Sequence, residues 1–149
     1  MVGPARRGSL VTLVERKSGF LRAAQSGEHR ARPVRRAIEG LLKRLPATLR
    51  HTITFDNGKE FAEHQRLATR LNIAVYFARP YCAWQRGTNE NTNGLLRQFF
   101  PRGTNFANVP CRAVQKAVTA LNDRPRKRLA YQTPREVLQR RVPNLNRCI

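Results

Sequence analysis

A chain of 149 residues, 40% of them hydrophobic, has the material for one core and little for a second. Twenty-nine Lys and Arg against nine Asp and Glu give a formal charge of +20, so a polyanion, nucleic acid above all, is the expected partner. Cys82, Cys111 and Cys148 are odd in number and lack C-x-x-C spacing, and His29, His51 and His64 are scattered, which argues against a disulfide framework or a zinc site. No apolar run approaches the roughly 18 residues of a membrane span, and the first residues lack the apolar stretch of a signal peptide. A cytoplasmic protein with no membrane partner is expected.

Ser9 to Val14 is β-branched and apolar, and after a turn at Lys17-Ser18-Gly19 the apolar run resumes from Phe20 to Ala24, which predicts a hairpin. From Pro33 the positions Val34, Ile38, Leu41, Leu42 and Leu45 recur at helical spacing, with the proline where a first turn tolerates it, and the helix ends near Pro46. Thr52 to Phe55 is a short strand running into Asp56-Asn57-Gly58. Phe61, Ala68 and Leu71 then mark one face of a helix stopped near Asn72. Ala74 to Ala78 is another strand, and a polar and aromatic loop leads to a helix starting at Gly87-Thr88-Asn89-Glu90. Its buried stripe is expected to be Leu95, Leu96, Phe99 and Phe100. Pro110 opens a helix with Val114, Val118 and Leu121 inward, and Thr133-Pro134-Arg135-Glu136 is a capping-box pattern for a last short helix. Strands that lead and then alternate with helices imply a mixed α/β sheet with helices on its faces.

The chemistry is concentrated in two carboxylates. Asp56 stands where a strand meets a turn, a position that exposes a carboxylate to a metal, although Asp-Asn-Gly is good turn chemistry wherever a strand ends. Glu90 follows thirty-four positions later among Gly87, Asn89, Asn91, Asn93 and Gly94. Such residues are poor helix filler, so propensity gives no reason for the segment. Phosphodiester chemistry supplies one, because convergent carboxylates hold Mg²⁺ ions that activate the attacking oxygen and stabilise the leaving one.

Four blocks carry a family resemblance: Leu10-Val11-Thr12-Leu13-Val14-Glu15-Arg16-Lys17, the segment Thr54 to Phe61 around Asp56, the segment Trp84 to Arg97 around Glu90, and Leu121 to Arg128. Together they resemble the catalytic core of IS-thirty-type insertion-sequence transposases over nearly the whole chain. The resemblance implies a ribonuclease H-like (integrase core) fold, with residues 1–142 as the core and 143–149 as a tail. It implies Mg²⁺ or Mn²⁺ as cofactor, 3′-end cleavage followed by strand transfer, and DNA partners in the form of transposon ends and target. Asp56 and Glu90 match the second Asp and the final Glu of the family's Asp-Asp-Glu triad, as catalytic and metal-binding residues.

One departure stands out. The family carries its first Asp on the strand before the Leu-Val-Thr-Leu-Val segment, within a Trp-Glu-Gly-Asp-like sequence, and no aspartate precedes Asp56 here. Glu15 corresponds to the family's own Glu after that residue and does not replace it. The chain is therefore expected to lack the first strand of its sheet and the family's DNA-reading helix-turn-helix, through a decayed element or a late start codon. Two carboxylates without the bridging one should hold Mg²⁺ weakly and be inactive alone, and the lost strand should leave sheet edges that favour aggregation. The alternatives are a non-catalytic basic nucleic-acid binder, and a transposase-derived regulator that forms mixed multimers with a full-length transposase.

Lys59, Arg86, Arg97, Arg102, Arg124, Arg126, Lys127 and Arg128 lie in or near these blocks and are expected to contact DNA phosphates. Tyr81 and Trp84, before Glu90, stand either as stacking platforms for an unpaired base or as core packing.

Overall fold

The computed structural model describes residues 8–28, 30–79 and 87–142. A hairpin of β1 (Ser9–Val14) and β2 (Leu21–Ser26) comes first, antiparallel, with Ser9 opposite Ser26 and Val14 opposite Leu21. Glu15 closes its turn. The Glu15 carboxylate accepts hydrogen bonds from the backbone N–H groups of Lys17 (3.0 Å) and Ser18 (2.7 Å) and from the Ser18 hydroxyl (2.6 Å), and Arg141 lies 3.5 Å away. Burial pushes its pKa up, but the bonds from Ser18 and Lys17 and the charge of Arg141 outweigh that, leaving it below the ordinary carboxylate value. Glu15 is thus committed to a turn. Gly19 has φ 72°, a left-handed conformation that favours glycine, and the Arg128 guanidinium lies against it.

Side chains alternate across β1, and the hairpin serves two cores. Leu10, Leu21 and Ala23, with Val14 beside them, pack with Leu96, Phe100, Phe106, Val114, Ala117, Val118 and Leu121. Val11 and Leu13 point the other way, against a cluster of Val34, Ile38, Phe55, Leu67, Leu71 and Ile73. The first core is closed by α3 (Gly87–Leu96) and α4 (Cys111–Asn122), the second by α1 (Ala31–Lys43) and α2 (His64–Leu71). The last helix, α5 (Pro134–Arg141), begins with the capping box read from sequence: Glu136 N–H donates to Thr133 Oγ1 at 3.1 Å, and Thr133 N–H donates to Glu136 Oε2 at 2.7 Å.

The remaining strands, β3 (Thr52–Phe55) and β4 (Ala74–Phe77), pair in parallel, with Phe55 opposite Phe77 and α2 crossing between them. Strand pairing is therefore mixed, but it falls into two separate two-stranded sheets among the described residues, β1 with β2 and β3 with β4. No described helix is long and apolar enough to cross a membrane.

Two expectations of detail fail. Phe61 lies in a 3-10 turn, Lys59–Phe61, rather than in the following helix, and stacks on Phe55 with ring centroids 4.3 Å apart. Phe99 is 45% exposed, not buried. The α-helix ends at Leu96, and the next amides bond three residues back, Gln98 to Leu95 and Phe99 to Leu96. That tighter winding turns Phe99 outward while Phe100 stays inside.

At the end of α4, Asn122 is buried and clamps the start of β2. Its Oδ1 accepts from Leu21 N–H at 2.8 Å and its Nδ2 donates to Leu21 C=O at 2.9 Å. Replacing it by Ala strands a buried donor and a buried acceptor, each worth about 1–3 kcal/mol. Urea melts should show Asn122→Ala losing about 2–4 kcal/mol; a loss below about 1 kcal/mol would mean that water or a neighbour takes over both bonds.

Candidate functional site

Asp56 follows β3 directly and is half-buried, with Oδ1 accepting the Gly58 N–H at 3.2 Å. The side-chain amide of Asn57 donates to the Ala78 carbonyl at 3.3 Å, which ties this loop to the end of β4. From below, Phe55 and the stacked Phe61 anchor both sides of the loop in the second core. The Asp-Asn-Gly segment is thus a sound turn and also a carboxylate held at a strand end.

Glu90 lies in the first turn of α3 and is exposed. Asn and Gly make a poor helix by propensity, yet α3 forms because tertiary contacts hold it. Leu96 is fully buried, Thr92 is buried with its hydroxyl donating to the Thr88 carbonyl at 2.8 Å, and Thr12 of β1 donates to Asn93 Oδ1 at 3.2 Å. Asn93, one turn after Glu90, is therefore a residue that fixes the helix on the hairpin. Sequence alone offered no signal for it beyond an asparagine in an unlikely place.

Two carboxylates provide hard oxygen donors, the right chemistry for Mg²⁺ or Mn²⁺. They fall short in number, since no group of three or more His, Cys, Asp or Glu able to hold an ion occurs among the described residues. The donor set on its own does not fit a tight divalent site.

The basic residues divide. Lys59, Arg97, Arg102, Arg124, Lys127 and Arg128 are exposed. Arg126 is half-buried and donates from Nη2 to the Leu121 carbonyl at 3.1 Å, so it braces the end of α4. Burial, then the charges of Arg128 and Arg124, lower its pKa. Tyr81, Trp84 and Arg86 lie outside the described residues, as does the 143–149 tail.

No protein-family model matches the chain. It is 41% identical over 136 residues to the transposase for insertion sequence element IS4351 of Bacteroides fragilis, covering 91% of this chain and 41% of that protein. It is 37% identical over 142 residues to transposase InsI for insertion sequence element IS30A of Escherichia coli strain K12, covering 95% of this chain and 37% of that protein. Its homologues are insertion-sequence transposases. The chain spans less than half the length of these curated relatives. Among solved structures, the catalytic core domain of BIV integrase superposes with a TM-score of 0.70 over 89% of this chain and 86% of that one, at 24% identity. The fold is that of an integrase catalytic core, the ribonuclease H-like architecture expected from the resemblance.

Proposed function

We propose that this chain is the part of a DNA transposase core that carries the second and third carboxylates, Asp56 and Glu90, of a metal-dependent strand-cleavage and strand-transfer site. The observation that carries the reading is their placement: one carboxylate at the end of a strand, the other in the first turn of a helix braced on the hairpin, inside a fold shared with integrase cores. Asp56 and Glu90 would contribute two oxygen ligands to a Mg²⁺ or Mn²⁺ ion and, as a pair alone, would hold it only weakly. The chain's own residues bind and orient the DNA. Lys59, Arg97 and Arg102 lie near the carboxylates in sequence and offer exposed cations to phosphates. Full-length transposase is the partner through which this chain would act in a multimer.

A second reading, a basic DNA-binding module without chemistry, is favoured by the fact that no group of three or more possible metal ligands occurs among the described residues. Isothermal titration separates the two. Wild-type chain should bind Mn²⁺ weakly, and the Asp56→Asn, Glu90→Gln variant should lose that heat altogether. Indistinguishable titrations would leave only the binder. Mg²⁺-dependent joining of oligonucleotides by the purified chain is expected to be absent or barely detectable, and clear joining would refute its catalytic incompleteness.

A further inference from the structure

One end of the molecule combines the β1–β2 turn with the segment after α4. The Arg128 guanidinium lies over Gly19 and donates to the Lys17 carbonyl at 3.4 Å, joining the two. Tyr131 stands out from this end, 71% exposed. Its backbone has φ 63°, and Ala130 before it has φ 51°. Two consecutive left-handed residues that carry a Cβ are strained, and such strain persists only where the surroundings over-determine it. They do so here: Arg126 N–H donates to Gln132 C=O, Tyr131 N–H to Arg126 C=O and Gln132 N–H to Leu129 C=O, each at 3.0 Å. The Arg126 side chain in turn is fixed to the Leu121 carbonyl. The tyrosine ring is thus presented by a closed and anchored loop, and its exposure gains nothing for the core.

The neighbouring carboxylates are all taken. Asp123 pairs with Arg135 at 2.5 Å, Glu136 closes the capping box, and Glu15 serves the hairpin turn with Arg141 beside it. No ion pair to Lys17, Arg124 or Lys127 occurs among the described residues, and all three are exposed. Exposed cations without an ion pair, on the same loop as an exposed aromatic ring and on the turn tied to it, form a combination suited to unpaired nucleotides, the ring taking a base and the cations its phosphates.

We propose that Tyr131, with Arg124 and Lys127 on its own loop and Lys17 on the turn that Arg128 ties to it, is a stacking site for an unpaired base of DNA. The site rests on the DNA reading above but is separate from Asp56 and Glu90 in sequence and role. Fluorescence anisotropy with a blunt duplex, and with the same duplex carrying a short unpaired overhang, tests it on the 149-residue chain. Tyr131→Asn removes the ring and suits the left-handed backbone, so its melting temperature should not fall. It should bind the overhang duplex about tenfold more weakly than wild type and the blunt duplex within about twofold, while Tyr131→Phe keeps wild-type affinity for both. Arg124→Gln combined with Lys127→Gln should weaken both substrates and flatten the salt slope by about two. Wild-type binding to DNA that Tyr131→Asn leaves unchanged, or weakens equally on both duplexes, overturns the stacking site and spares the broader reading. Failure of the wild type to bind either duplex overturns both. Loss of self-association, with DNA binding intact in Tyr131→Asn, would assign the ring to a protein contact and refute the proposal.

Discussion

Arg35→Met is expected to cost about 3–5 kcal/mol, a large part of the roughly 5–15 kcal/mol that holds a domain together. Arg35 is buried on α1, donates from Nε to Glu63 Oε2 at 2.6 Å, and donates from Nη1 to Glu39 Oε1 one turn away. Glu39 is itself buried, and its other described partner is the exposed Arg70 at 3.3 Å. Without Arg35, a buried carboxylate keeps only the exposed Arg70 as a charged partner among the described residues, and an under-compensated buried charge is strongly destabilising. The same residue holds α2, through Glu63, against α1, so the loop carrying Asp56 loses a support with it. Urea or thermal unfolding measures the effect, and a loss under about 1 kcal/mol would show that water reaches this cluster. The double variant Arg35→Met, Glu39→Met removes both charges at similar volume and should recover much of the loss.

The same pair sets a pH dependence. The hydrogen bond from Arg35 holds the Glu63 carboxyl below its ordinary value, burial opposes this, and the charges of Arg35, Arg66 and Arg32 reinforce it. A depressed carboxylate contributes stability fully above its unfolded pKa and loses it as pH falls through the lower folded value. The acid limb of the stability curve should therefore steepen below about pH 4.5 and be shallower in Arg35→Met. Equal acid limbs in the two proteins would remove Glu63 from that account.

DNA affinity should fall about a thousandfold between 50 and 200 mM salt. With a net charge of +20 and exposed cations at Lys59, Arg97, Arg102, Arg124, Lys127 and Arg128, about six neutralised phosphates is a fair expectation. Each contact releases about 0.9 of a counterion on duplex DNA, so log affinity against log salt should have a slope near −5. Arg126 does not belong in that count, because it is half-buried, with its guanidinium engaged with the Leu121 carbonyl, whereas Arg128 stays exposed while donating to the Lys17 carbonyl. Arg126→Gln should accordingly leave the slope almost unaltered while reducing stability. A slope near zero in the wild type would remove phosphate recognition from the function.

Much of the secondary structure was legible because local patterns agree with the final packing. The β-branched, apolar run of β1, the Val114, Val118 and Leu121 stripe and the Thr133 capping box each encode their own geometry within a few residues. Asp56 and Glu90 were legible as types of residue at informative positions, since a carboxylate after a short strand and another among asparagines and glycines need few neighbours to be noticed. Phe99 and Phe61 were misread because periodicity assumes an α-helix, and each lies where the backbone winds more tightly.

What the sequence determined by itself is the charge and the strand and helix order, which follow from composition and from near neighbours along the chain. Only the tertiary structure decided which cations are free to meet an anion, which ones brace carbonyls, and which asparagines clamp the core. Arg126 and Arg128 are two residues apart, yet one is turned to the end of α4 and the other lies over the hairpin turn. The partners of these groups lie on other elements. Asn122 meets Leu21 across 101 positions and Asn93 meets Thr12 across 81. Hydrogen bonds and desolvation act over a few ångströms of space regardless of the length of chain between, so roles that depend on them appear only when the fold has brought the partners together.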